Sequence, residues 1–157
     1  MVNIVALVGP TASGKTALAI EAAQRYNADI VGVDASQVYR GMSIGTGKAT
    51  PAELGGVSHH GIDLVDPDHH FDAKRYADHA DDVIASAQDA GRRLIFCGGT
   101  GLYLRALLQG LCAAPPVASS VSTVLRQRIE KEGLASLYGQ LKLIDPASAA
   151  RINPNDG

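Results

Sequence analysis

The chain has 157 residues, 46% of them hydrophobic and 19% charged, with a formal net charge of −2. That length is enough for one ordinary domain with a real core, and the balance excludes a disordered chain. The small negative charge excludes a whole-surface polyanion binder, so any nucleic-acid contact must come from a local cluster.

The first residues, MVNIVALVGP, lack a basic leader and run directly into a glycine-rich loop, so no signal peptide is expected. No apolar run reaches the length of a membrane span. Cys97 and Cys112 stand in no metal or redox spacing and read as reduced thiols of a cytoplasmic protein. Residues 4–8, IVALV, form a continuous apolar run closed by Gly9-Pro10, which predicts a strand buried on both faces. Gly9, Pro10, Thr11, Ala12, Ser13, Gly14, Lys15 and Thr16 then match G-x-x-x-x-G-K-[ST], the pattern of a phosphate-cradling loop. Gly9 and Gly14 let the backbone curl so that successive N–H groups converge on an anion, and the next helix adds its positive end. Lys15 supplies a point charge, and the Thr16 hydroxyl is a ligand for Mg²⁺.

Leu18, Ala19, Ala22 and Ala23 recur at helical spacing, predicting a helix over 16–26. Residues 29–33 predict a second strand, ending at Asp34. The Asp34 carboxylate either takes a proton from a nucleophile or caps the turn at Ala35-Ser36; spacing alone does not decide. Residues 36–72 are rich in Gly, His, Asp and Pro and predict a long functional loop with a helical turn at Pro51. Tyr39, Arg40, Gly41, Met42 and Lys48 in that loop either contact phosphate or nucleotide, or are solvated, which is the commoner case for charges. His59-His60 and His69-His70 invite a metal reading, but neighbouring histidines of an extended chain point apart, and no structural metal is expected.

Tyr76, Ala80, Val83, Ile84 and Ala87 share one face of a helix predicted over 73–90, which Gly91 stops. Residues 94–97, LIFC, predict a third buried strand, followed by Gly98-Gly99-Thr100-Gly101 and a helix over 102–108. Nucleotide hydrolases of this class often carry an Asp at the end of such a strand to hold Mg²⁺. Its absence favours a transferase with two ligands, and Thr100 offers a hydroxyl there. After Pro115-Pro116, Ser119 or Ser120 is a candidate cap for a helix carrying Val124, Leu125 and Ile129 and stopping at Gly133. A helix over 134–143 follows, and Asp145-Pro146 opens another. Arg126, Arg128 and Lys131 read as a solvated helix face unless a polyanion docks there. The plan is α/β: a P-loop NTPase-like parallel sheet flanked by helices over 1–114, with its site at the carboxyl ends of the strands, then a helical appendage over 115–157.

The stretches VGPTASGKT, VDASQVYRGMSIGTGK, HHGIDLVDP and GGTGLYLRALLQGL, followed by LRQRIEKEG and LIDPASAARINPND, together resemble the tRNA dimethylallyltransferase (tRNA isopentenyltransferase) family. The resemblance covers essentially the whole chain. Ser43 stands where the family usually has Asp, and Gly47 where Ala is usual; both are loop positions. Family members continue beyond the NPND segment, so the resemblance implies an N-terminal portion, a fragment or a truncated homologue. The sheet would then be incomplete, and only the start of a helical tRNA-binding insertion would be present.

The implied reaction moves a dimethylallyl group from dimethylallyl diphosphate to N6 of an adenine next to the tRNA anticodon, releasing pyrophosphate. By the same resemblance Asp34 and Thr100 are catalytic, and Gly9 to Thr16 hold the diphosphate with Mg²⁺ on Thr16. Asp34, Ala35, Ser36, Gln37, Thr100 and Arg126 meet the tRNA. Three other readings compete: a small-molecule or nucleotide kinase using ATP, a related prenyltransferase acting on free adenine nucleotides, and a truncated, non-catalytic diphosphate binder. Self-association of the chain along the free edge of its first strand is a separate expectation.

Overall fold

The computed structural model describes residues 3–111 and 117–156, and of Ser119 the backbone alone. Cys112, Pro115, Pro116 and Gly157 lie outside the described residues, as does the boundary expected between 114 and 115. The chain divides into two compact units, Met1–Cys112 and Ala113–Gly157.

The first unit is a four-stranded parallel sheet in the order β1-β4-β2-β3. Its strands are β1 (Ile4–Val8), β2 (Ala28–Val33), β3 (His59–His60) and β4 (Arg93–Gly98). Helices α1 (Lys15–Tyr26), α2 (Pro51–Leu54), α3 (Ala73–Asp89) and α4 (Gly101–Gln109) complete it. Two apolar clusters lie on the sheet. Ala19 and Ala23 of α1 meet Ala28, Ile30 and Ile95; small side chains let the helix close on the strands. Tyr76, Ala80 and Val83 of α3 and Tyr103 of α4 meet Val31, Val33, Leu94 and Phe96. There Tyr76 stacks on Tyr103 at 4.3 Å between ring centres, and Phe71 meets Tyr103 edge-on. Burial pushes the Tyr76 phenol well above its ordinary range.

Local chemistry sets the helix ends. Asn27, in the left-handed region, closes α1 by donating its N–H to the Ala23 carbonyl. Asp72 caps α3 by accepting from the Arg75 N–H at 2.9 Å. Thr50 and Glu53 form a reciprocal capping box on α2.

Three expectations are corrected. Residues 4–8 do form a strand, but it is not buried on both faces: Val5 and Val8 are more than half exposed. Among the described residues it pairs with β4 alone, and α1 packs chiefly on β2 and β4. The loop expected over 36–72 contains β3, a two-residue strand pairing Ile30 with His59 and Val31 with His60. The cap position of α5 (Ser119–Glu132) falls at Ala118, which makes no side-chain cap bond, and not at Ser119 or Ser120.

In the second unit α5 is followed by α6 (Leu134–Ile144) and α7 (Pro146–Ala149). Arg128 joins Glu132 on its own helix at 2.8 and 2.9 Å and Gln140 on α6 at 3.0 Å. The Tyr138 hydroxyl donates to the Ala149 carbonyl, and Asp145 caps α7 through the Ser148 N–H, each at 2.9 Å.

Candidate active site

Parallel register aligns the strand ends. Val8 pairs with Gly98, and Gly98 with Val33, so Gly9, Gly99 and Asp34 leave the sheet from one row. A cleft of about 630 Å³ opens there, lined by Gly9–Thr16, Asp34, Gln37, Thr46, Gly47, His59, Ile62 and Cys97–Thr100. This is the carboxyl edge at which open α/β sheets bind ligands.

The loop from Gly9 to Thr16 connects β1 to α1. Ala12 and Gly14 take positive φ, 62° and 79°, which curls the N–H groups inward. Gly14 caps α1 without a side-chain bond, so the first turn of that helix keeps its N–H groups for an anion. The Lys15 ammonium bends back to the Pro10 carbonyl and reaches the Ser13 hydroxyl at 3.3 Å. Cys97 lies close by: burial raises its thiol and Lys15 partly offsets the rise, which makes it a poor nucleophile.

The two carboxylate oxygens of Asp34 differ in their hydrogen bonds. Its Oδ1 accepts from the Ser36 N–H at 2.8 Å, the Ser36 hydroxyl at 2.5 Å and, at 3.4 Å, the Gln37 N–H. Its Oδ2 has no hydrogen bond among the described residues and belongs to a side chain lining the cleft. The cap engages one oxygen of the carboxylate and leaves the other without a hydrogen bond among the described residues.

Thr100 opens α4 without a side-chain cap bond; its hydroxyl accepts from the Ala35 N–H at 3.0 Å. That bond ties the turn after β2 to the turn after β4. The glycines of the second turn serve this packing: a Cβ on Gly98 would lie 2.2 Å from the Val33 carbonyl oxygen. Gly99 and Thr100 both donate their N–H to that oxygen at 3.1 Å.

Asp34, Gln37, Thr100 and the eight loop residues thus converge, with Ala35 and Ser36 held beside them. Arg126 is exposed on α5 of the second unit. Thr46, Gly47, His59 and Ile62 also line the cleft; Thr46 and Ile62 carried no signal of their own. The histidine pair at 59–60 was visible in the sequence, but its place depends on β3. Burial, helped by the charge of His60, holds His59 below the ordinary imidazole range. Lys48 is not solvated: its side chain is 5% exposed and its ammonium donates to the Tyr39 carbonyl and Asp63, each at 2.8 Å. Among the described residues no group of three His, Cys, Asp or Glu side chains is disposed to hold a metal ion.

The IPP transferase family model matches residues 37–157. The chain is 47% identical over 155 residues to a tRNA dimethylallyltransferase of Geobacter metallireducens, covering 99% of this chain and 50% of the relative. It is 50% identical over 158 residues to one from Roseiflexus sp., covering 99% and 52%. Among solved structures it resembles the full-length tRNA isopentenylpyrophosphate transferase of Bacillus halodurans at 39% identity and a TM-score of 0.68, covering 99% and 52%. It also resembles a eukaryotic dimethylallyltransferase acting on tRNA at 26% identity and a TM-score of 0.82, covering 99% and 39%. The chain spans about half the length of the curated relatives it matches. With most of the chain inside the family match and the phosphate loop at the carboxyl edge of a parallel sheet, the chain belongs to the IPP transferase family.

Proposed function

We propose that this chain is the catalytic portion of a tRNA dimethylallyltransferase, which moves a dimethylallyl group from dimethylallyl diphosphate to N6 of an adenine next to the anticodon. The observation that carries the reading is the single cleft holding both a complete phosphate loop and Asp34 with a free carboxylate oxygen. The adenine leaves its stack to reach that cleft, as base-modifying enzymes require. Its exocyclic nitrogen attacks the allylic carbon, the carbon–oxygen bond to the diphosphate breaks, and the released N6 proton passes to Asp34 Oδ2. The Ser36 and Gln37 bonds hold Oδ1, and with it the orientation of the carboxylate. Negative charge grows on the departing pyrophosphate. The loop N–H groups, the open end of α1 and Lys15 face it there, and stabilise a leaving group instead of transferring a phosphoryl group.

A Mg²⁺ ion fits this donor set: Mg²⁺ keeps several waters and takes few protein ligands beside phosphate oxygens, and Thr16 brings a hydroxyl to the cleft. Thr16 would hold it, and the ion would supply further charge neutralisation to the leaving pyrophosphate. The same loop chemistry suits a nucleotide phosphate, so ATP binding remains a property to measure. The reaction belongs in the cytoplasm with its tRNA. Among the described residues no helix is long and apolar enough to cross a membrane.

Incubation with labelled dimethylallyl diphosphate, tRNA and Mg²⁺ should move label to the tRNA. ATP turnover without tRNA would instead select a kinase. Pyrophosphate binding with no transfer would leave only a diphosphate binder.

A further inference from the structure

The cleft has two sides of different construction. The phosphate loop is local in sequence and held by its own backbone. The opposite wall is assembled from distant pieces. Gln37, Thr46 and Gly47 line it, and the Gln37 amide donates to the Thr46 carbonyl at 3.0 Å. Thr46 in turn donates its hydroxyl to the Met42 carbonyl at 2.7 Å. Residues 37–40 run beside 63–66 through four backbone bonds. The Asp63 and Leu64 N–H groups donate to the Gln37 and Val38 carbonyls at 3.1 and 2.7 Å, Val65 donates to Val38 at 3.1 Å, and Arg40 donates to Val65 at 2.8 Å.

Lys48 sits where these pieces meet. It directly follows Gly47, its side chain is nearly buried, and its ammonium bonds the Tyr39 carbonyl from one segment and the Asp63 carboxylate from the other. Asp63 itself holds a positive φ of 52°, a conformation that persists in a non-glycine residue only where its surroundings fix it. The other ion pair across these segments, Arg40 with Asp66 at 3.2 Å, is exposed on both partners, where such pairs hold little. The Lys48 ammonium is different: its side chain is 5% exposed, and its loss takes a donor from the Tyr39 carbonyl and an ion-pair partner from Asp63, whose own side chain is 47% exposed.

We propose that Lys48 is a positioning residue for the nucleobase side of the cleft, clamping residues 37–48 to Asp63 so that Gln37, Thr46 and Gly47 form a fixed wall beside Asp34. The clamp rests on the transfer reading above for the identity of the ligand, and not for its own geometry. Among the described residues the hydrogen bonds of Lys48 go to Tyr39 and Asp63 and not to the phosphate loop, so its loss should separate the two halves of the site.

Lys48→Met, which keeps the apolar stem, and Asp63→Asn, which removes the charge and keeps the shape, test this in the whole chain. Hydrogen exchange at the amides of Arg40, Asp63 and Leu64 should quicken about tenfold or more in Lys48→Met and less in Asp63→Asn, with β4 amides unchanged. Affinity for inorganic pyrophosphate, by calorimetry, should match the parent. Affinity for an unmodified anticodon stem-loop RNA should fall about tenfold. Unchanged exchange at those three amides overturns the proposal. So does loss of pyrophosphate affinity together with faster exchange in β4, which would make Lys48 a general support of the fold. A parent chain that binds pyrophosphate but no stem-loop counts against the tRNA reading, while the exchange comparison still decides the clamp.

Discussion

Lys15 and Asp34 do different work in one cleft, and substitutions should tell them apart. Pyrophosphate at a hundredfold excess over Kd stabilises by about 2.7 kcal/mol, a rise of several degrees in Tm; Lys15→Ala should abolish that rise in a thermal melt. Asp34→Asn keeps an Oδ1 acceptor for the Ser36 N–H, so the melt and the pyrophosphate shift should match the parent. Transfer by an active form should nonetheless drop about 10²–10⁴-fold. Asp34→Ala removes the turn's hydrogen bonds as well and should also lower stability by about 1.5–3 kcal/mol. Parental transfer by Asp34→Asn would reduce the residue to a cap. The sequence left cap and base as alternatives for Asp34; the fold shows the cap on Oδ1, and the substitution tests the base. Two histidines set a pH dependence. Burial, then the charge of His60, lowers His59 and His79 below the ordinary 6.5, with Asp82 opposing the shift at His79. The unfolded chain therefore binds more protons than the fold once pH falls through about 6.5. Stability should decline from there and level off below the folded values. Urea unfolding at pH 8 and pH 5.5 measures the loss, and His59→Gln should shrink it.

Among the elements, β1 is the exposed one. It pairs with β4 along one edge, its other edge has no strand among the described residues, and Val5 and Val8 face outward. Such an edge is a template for further pairing. The chain should self-associate as concentration rises in sedimentation or light scattering, and Val5→Lys should suppress it. A monomer at every concentration with strongly protected β1 amides would mean that the edge is already covered. The apolar run foretold a strand but not its surroundings: burial belongs to neighbours, and periodicity within residues 4–8 holds no information about them. β3 was illegible for a related reason. Two histidines have no strand pattern; pairing with Ile30 and Val31 makes the strand. By contrast α3 was plain, because Tyr76, Ala80 and Val83 recur at helical spacing and bury one face.

Across the whole molecule, the features legible in advance are those encoded by near neighbours: the loop from Gly9 to Thr16, the strand ends and the helix periods. Long-range pairs were not. Lys48 resembles a solvated loop charge until Asp63, fifteen residues on, is brought against it. Gly98 reads only as part of a glycine-rich turn until the Val33 carbonyl oxygen is brought where its Cβ would stand. The shared row of Val8, Gly98 and Val33 has a metric consequence. β1 and β2 are separated by one intervening strand, so the roots of the phosphate loop and of Asp34 stand two strand spacings apart, about 9.6 Å. Backbone hydrogen bonding fixes that span, and no side chain can stretch it. In the proposed transfer the reacting carbon is bonded directly to the diphosphate oxygen, so that span sets where the diphosphate and the attacking nitrogen stand, and the rest of the prenyl group must be housed beside them. Geranyl diphosphate carries the same headgroup and reacting carbon with a longer tail to house. It should compete for the loop yet transfer about a hundredfold more slowly, since a displacement near 1 Å already costs that much.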